Sequence, residues 1–193
     1  MRGGRAIGLA VAGVIGGVLA LPLLALVIVL VLTLTRVTHL YRMPNAAMEP
    51  TLHCARPAHG CDGAKRDRLF VVKYFFSDPG RSDIVAYRAP PGARAACGTG
   101  GVFIGRIVGM PGETWQEQKG RVFIDRLRLV EPYVKRPDQG TRSARTIPPR
   151  SYFVLGDDRT ASCDSRRWGP LPRSDVIGRV IATYWPPSRI ALH

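Results

Sequence analysis

From Ala6 to Thr35 the chain carries no charged residue, and Arg5 and Arg36 bracket the stretch. As a helix, these residues would reach about 45 Å, against roughly 30 Å of bilayer hydrocarbon. One tilted or kinked helix fits that thickness; two spans joined by a turn do not. Pro22 divides a glycine-rich half (Gly8, Gly13, Gly16, Gly17) from an aliphatic half, Leu23 to Leu32, so a kink is expected near Pro22. A cleaved secretory leader would show an apolar core of roughly 7–15 residues followed by a small-x-small site, and this stretch is longer and lacks that site. The expectation is an uncleaved single anchor over residues 1–36 and one domain over residues 37–193. Arg2 and Arg5 nearly balance Arg36 and Arg42 across the span, and the start of the chain tips the rule towards a cytoplasmic N-terminus. That orientation makes a single-pass plasma-membrane protein with an extracytoplasmic domain.

Cys54, Cys61, Cys97 and Cys163 all follow the apolar stretch. Cys54 and Cys61 flank a short loop containing Pro57 and Gly60, which suits a local disulfide in an oxidising compartment; free buried thiols are the alternative. No Cys-x-x-Cys is present, and His53 and His59 lack a second ligand cluster, so no zinc site is expected. Neither another metal nor a cofactor is expected. Lys+Arg is 28 against Asp+Glu 14, a formal charge of +14, while hydrophobic residues make up 46%. That apolar content excludes a disordered basic tail. The arginines are scattered over loops and strands, with no basic helix and no aromatic-rich binding strand. Anionic lipid headgroups are therefore the expected partner of the charge, and nucleic acid is not.

Beyond residue 40 the pattern turns to period two and short apolar runs. Strands are predicted over Arg68–Phe76, Asp83–Tyr87, Val102–Val108, Arg121–Asp125, Tyr152–Leu155 and Val176–Tyr184. Turn signals separate them at Asp78-Pro-Gly80, Pro90-Pro-Gly92, Met110-Pro-Gly112 and Gln118-Lys-Gly120. A charged loop is expected around Arg136 to Arg145. No stretch sustains helical amphipathicity for three turns. The expected domain is mostly β, a curved, barrel-like antiparallel sheet.

Four ordered motifs carry the chemistry: Met48-Glu-Pro-Thr-Leu52, Arg81-Ser-Asp-Ile-Val-Ala-Tyr87, Gly105-Arg-Ile-Val-Gly-Met-Pro-Gly-Glu113, and Gly156-Asp-Asp-Arg-Thr-Ala-Ser-Cys-Asp-Ser-Arg166 continuing to Trp168-Gly169. Together, behind an apolar N-terminal stretch, they closely resemble the bacterial signal peptidase I family. The resemblance implies a membrane-anchored endopeptidase that removes signal peptides from exported preproteins. It also implies a serine–lysine dyad, in which a neutral lysine, its pKa lowered by burial, takes the proton of an attacking serine. The position of that serine is Ala47, and the position of that lysine is Gly105. Asn45 stands where a second, oxyanion-assisting serine is common. Ser162, Asp164, Ser165 and Arg166 are implied to support the site, with Asp164 and Arg166 as a charge pair. Met48, Pro50, Asp83, Ile84 and Val85 are implied to flank the substrate groove. A bond from Cys163 to Cys97 or to Cys54 would tie the fourth motif to another.

Alanine has no oxygen to attack with, and glycine has no amine to act as a base. The expectation is a catalytically inactive homologue that binds preproteins. The alternative is an active peptidase using other residues, such as Ser162, Thr51 or Lys73, or an engineered loss of the dyad from an active parent. Asp157 and Asp158 are adjacent acids without ligand partners and are expected to be structural, with Arg159 anchoring their turn.

Overall fold

The computed structural model describes residues 23–29 and 37–193. The predicted span lies largely outside these residues. Residues 23–29 are helical with exposed side chains, and among the described residues no helix is long and apolar enough to cross a membrane. The chain divides into Met1–His39 and Leu40–His193, and the second unit holds the sheets and the site.

Two open antiparallel sheets build this unit. The larger runs in the order β1 (Thr38–Arg42), β2 (Arg68–Val72), β11 (Val176–Trp185), β3 (Ile84–Arg88), β4 (Val102–Gly109), β9 (Ser151–Leu155) and β10 (Leu171–Pro172), with β12 (Ala191–Leu192) also on β11. The smaller has the order β7 (Leu127–Arg128), β6 (Arg121–Ile124), β5 (Thr114–Gln118) and β8 (Arg142–Thr146). Neither sheet closes on itself among the described residues, which corrects the barrel-like expectation. The physical reason is the turn at Met110–Gly112, where the chain leaves β4 to start a second sheet instead of continuing the first.

Apolar runs without alternation mark strands covered on both faces. In β3, Ile84 and Ala86 join Met43, Met48, Leu52, Leu69 and Ile104 on one face. Val85 and Tyr87 join Ile107, Tyr152, Val154 and Leu171 on the other. A third cluster seals the two sheets together through Val108, Trp115, Ile124, Ile147 and Phe153, with the Trp115 and Phe153 rings stacked at 4.1 Å.

Two local expectations change. The strand predicted over Arg68–Phe76 ends at Val72. Tyr74 then turns to donate a hydrogen bond to the Asp83 carboxylate at 2.7 Å, leaving Phe75 and Phe76 exposed. Part of the charged loop expected around Arg136 to Arg145 is the edge strand β8. It buries no apolar side chain and is held to β5 by register and by the Arg142–Glu117 ion pair.

Candidate active site

A single 3₁₀ turn, Ala46–Met48, packs against β4. The Asn45 side chain caps it by accepting from the Ala47 N–H at 3.1 Å, the ordinary use of Asn at such a start. Ala47 and Met48 are buried. The following Glu49 is fully buried, and its carboxylate accepts from the backbone N–H groups of Cys54 and Asp62, each at 3.1 Å, and pairs with His53 Nδ1. Glu49 also gathers with Cys54 and Cys61. The two sulfurs are joined to each other in a disulfide (Cα–Cα 5.1 Å), so the group offers no thiolate to a metal.

The loop after β9 closes over this turn. Gly156 lies so near that a Cβ there would sit 2.4 Å from the Ala47 carbonyl oxygen and 2.4 Å from Ser162 Oγ. Only glycine allows that approach. The Asp158 N–H donates to the Ala47 carbonyl at 3.0 Å, which locks the first motif to the fourth. Asp164 accepts from the Gly156 N–H at 3.1 Å and from the Arg166 N–H at 3.1 Å. Its two oxygens also hold the Arg166 guanidinium at 2.8 Å each. Arg166 reaches on to Asp138 at 2.7 Å and to the Arg159 carbonyl at 2.8 Å. Burial alone would lower the Arg166 pKa; the bonds to Asp164 and the nearby Asp138 and Glu117 charges outweigh it, and the value is raised. Ser165 Oγ accepts from the Val154 N–H at 3.0 Å. Asp164, Ser165 and Arg166 therefore hold the loop in place.

A pocket of about 210 Å³ opens beside this junction, lined by Asn45, Ala47, Tyr87, Phe103, Ile104 and Ser162 among others. The disulfide between Cys97, at the end of the Pro91–Cys97 helix, and Cys163 forms part of its wall (Cα–Cα 5.9 Å). Among the described residues no lysine, histidine or carboxylate lines it. Tyr87 is its one phenol. Burial first, and the Asp164 charge second, push that hydroxyl far above its ordinary value, so it stays protonated and cannot serve as a base. Thr51 Oγ1 is committed to Asp157 at 2.5 Å. Asp157 in turn holds Arg106 through both oxygens, at 2.9 and 2.6 Å. Asp158 is bound by Arg136 at 2.9 Å and by Thr160 and Ala161. Both acids are thus spent on structure.

Gly105 is buried on β4 opposite Val85. A Cβ built on it would lie 2.7 Å from Val154 Cγ1 and 3.4 Å from the Tyr87 ring. Its side-chain direction is therefore walled by Val154 and Tyr87, on the same side as the pocket's phenol.

The residues implied by resemblance to flank the groove lie outside this pocket. Met48, Ile84 and Val85 are core, and Asp83 closes a turn by accepting from Tyr74 and from the Gly80 N–H at 2.8 Å. Neither these residues nor Pro50 lines the pocket. The reason is that β3 lies inside the sheet with β11 and β4 bonded to its two edges. The lining instead includes Pro44, Thr99, Phe103 and Ile104, which no motif singled out. The one sequence signal was the apolar pair preceding Gly105. β9 pairs with β4 only from Arg106 onward, so the outer edge of Val102–Gly105 has no strand partner among the described residues and borders the pocket.

Residues 17–185 match the family described as Signal peptidase, peptidase S26. The chain belongs to that family. It is 35% identical over 151 residues to the signal peptidase I of Leptolyngbya laminosa, covering 77% of this chain and 69% of that one. It is also 35% identical over 155 residues to the chloroplastic thylakoidal processing peptidase 1 of Arabidopsis thaliana, covering 77% of this chain. The chain spans only 42% of the length of that Arabidopsis relative. A signal peptidase I structure from Enterococcus faecalis superposes with a TM-score of 0.45 and 28% identity, covering 55% of this chain and 99% of that one.

Proposed function

We propose that this chain is a membrane-anchored signal peptidase-like protein that binds the segment around a preprotein's cleavage site without hydrolysing it. Its processing chemistry is absent because Ala47 and Gly105 stand at the dyad positions. An alanine supplies no nucleophilic oxygen, and among the described residues no lysine, histidine or carboxylate lines the pocket. Losing the nucleophile of a comparable enzyme costs about 10⁶ in turnover.

The observation that carries the binding role is the unpartnered edge of Val102–Gly105 beside a small pocket. An extended peptide can pair its backbone along that edge while a small side chain enters the pocket between Ala47 and Phe103. Affinity is weak because backbone pairing must supply most of it. A bilayer-tethered signal peptide offsets this by its raised local concentration. The observations leave Ser162 as the hydroxyl nearest to an alternative nucleophile, since it faces the pocket beside Ala47.

Purified chain, free of any active peptidase, is incubated with a preprotein, and a photocrosslinker at Phe103 reports binding. The expected result is no cleaved product and a crosslink near the cleavage site. Cleavage by the purified chain overturns the inactive reading and points to Ser162. Absence of a crosslink removes the binding role.

A further inference from the structure

A second concavity lies on the smaller sheet and shares no residue with the pocket at Ala47. It is a bowl of about 860 Å³ whose floor is β6 and β7 and whose wall is the segment 129–141. Phe123 and Arg128 are cross-strand neighbours on the floor. Arg121, two residues before Phe123, points to the same face. Lys119 stands at the rim, and Leu129 and Val134 add apolar surface.

The charge of this bowl is uncompensated. Among the described residues, Lys119, Arg121 and Arg128 enter none of the ion pairs that hold the neighbouring arginines, such as Arg142–Glu117 and Arg159–Glu131. Among the described residues the single acid lining the bowl is Glu131. Both of its oxygens are taken by Arg159, and one also accepts from the Tyr133 hydroxyl. Three cations therefore face a concave, half-apolar surface with no free carboxylate, an arrangement that concentrates positive potential. The outer side of the floor is β7, an edge strand that among the described residues pairs only with β6 and is exposed at both residues.

We propose that the bowl binds an extended, acidic and amphipathic polypeptide segment. Arginine presents its donors as a fork that matches carboxylate geometry, and Phe123, Leu129 and Val134 accept alternating apolar side chains. The free edge of β7 offers backbone pairing in register with that alternation. A flat bilayer surface cannot reach a concave floor. Single-stranded nucleic acid wants exposed aromatic faces to stack on, whereas Phe123 is half-buried.

The test uses the full chain in non-ionic detergent and a dye-labelled nonapeptide of alternating Glu and Leu, followed by fluorescence anisotropy at physiological ionic strength. A peptide with Lys in place of Glu is the control. The double variant Arg121→Glu/Arg128→Glu is expected to weaken binding at least about tenfold, as two charge pairs are reversed in one groove. Arg66→Glu/Arg145→Glu, exposed residues outside the bowl, makes the same change in net charge and is expected to leave affinity within about twofold, as rim charges act mainly through screened long-range attraction. Unchanged melting temperatures check that both variants fold. Equal weakening by the two variants, equal binding of the Lys peptide, or no binding of the Glu peptide overturns the proposal. Displacement by inorganic phosphate, anionic vesicles or duplex DNA as effective as that by unlabelled peptide also overturns it.

Discussion

The pocket at Ala47 and the loop from Gly156 to Arg166 touch each other, yet they are built from opposite materials. The pocket is lined by Ala47, Tyr87, Phe103, Ile104 and Ser162, with no titratable group able to act near neutral pH. The adjoining loop is dense with ionised side chains: Asp157 on Arg106, Asp158 on Arg136, Asp164 on Arg166 and Arg159 on Glu131. Each buried charge there has a partner, as burial requires. The difference separates two tasks that sit side by side in this fold. The loop positions the Ala47 turn through Gly156 and the Asp158 N–H, and that positioning needs neither a serine nor a lysine. The frame around Ala47 is therefore held by groups other than those that line the pocket.

The sharpest way to break the contrast is to put chemistry back into the pocket. Ala47→Ser with Gly105→Lys is expected to bring preprotein cleavage from undetectable to measurable, since the missing nucleophile alone is worth about 10⁶. Gly105→Lys by itself is expected to give no cleavage and to lower stability by about 1–3 kcal/mol, the usual cost of overpacking a core, because its Cβ meets Val154. Adding Val154→Ala to the double variant is expected to raise its yield of product. Preprotein cleavage assays and denaturant melts on the same samples check both effects. A double variant that is well folded, with Val154 relieved, and still inert would show that the two side chains alone do not make this pocket a peptidase site.

Stripping a charge from the loop should cost more stability than any change to the pocket lining. Asp164→Ala strips the Gly156 N–H of its acceptor and leaves the buried Arg166 guanidinium only its hydrogen bonds to Asp138 and the Arg159 carbonyl, a loss of about 3 kcal/mol, the low end of the cost of breaking a buried pair. The expected result is a large fall in melting temperature; Ser162→Ala, which removes a pocket hydroxyl, should leave it nearly unchanged. Equal effects would mean that pocket and loop are one cooperative unit.

The wall shared by the two regions ranks next. Cys97 and Cys163 close a loop with a sequence separation of 66 residues, and a bridge of that span constrains the unfolded chain by about 2–4 kcal/mol. The paired variant Cys97→Ala/Cys163→Ala should lower stability by that amount and increase hydrogen exchange of the Cys163 loop. Loss at Cys54–Cys61, which spans only 7 residues, should be smaller.

What was legible in the residues follows the same division. The strand β3, covered on both faces, announces itself as an apolar run from Ile84 to Tyr87, and the Asp164–Arg166 pair could be named from its motif. The strand β8 was hidden because Arg142–Thr146 buries nothing apolar; a ladder and one ion pair define it. The second sheet was hidden too, because β5 and β6 alternate as any sheet strand would, and only contacts far apart in sequence, such as Trp115 on Phe153, assign them to a separate layer. The pocket lining was missed for a related reason. A motif points to residues that are fixed in type, and Asp83, Ile84 and Val85 are fixed by core packing and turn closure, whereas Phe103 and Thr99 are brought to the pocket by the path of the chain.

The smallest expected effect concerns acid, and it tests whether the loop's charges stabilise the fold or merely tolerate burial. Burial pushes the Asp158 carboxyl up, but the hydrogen bonds from Thr160, Arg136 and Ala161 outweigh it, and its folded pKa lies below the ordinary value. Asp138 is lowered in the same sense: burial raises it, and the Gly140 N–H together with the Arg166 and Arg142 charges more than compensate. Below an ordinary aspartate pKa of about 3.9, the unfolded chain binds protons that these folded carboxylates resist. Stability is therefore fully present above that pH and is lost as pH falls towards the folded values. Glu117 runs the other way, since burial and the Asp138 charge raise it, so its contribution declines as pH rises from about 4.3. Denaturant melts between about pH 3 and 6, the window of carboxylate titration, should show stability rising with pH in the lower half. Asp158→Asn should flatten that rise while leaving the pocket's behaviour at neutral pH untouched. Glu117→Gln should steepen it. If Asp158→Asn leaves the slope unchanged, the Asp158–Arg136 pair adds no acid-sensitive stability, and packing and neutral hydrogen bonds hold this part of the loop.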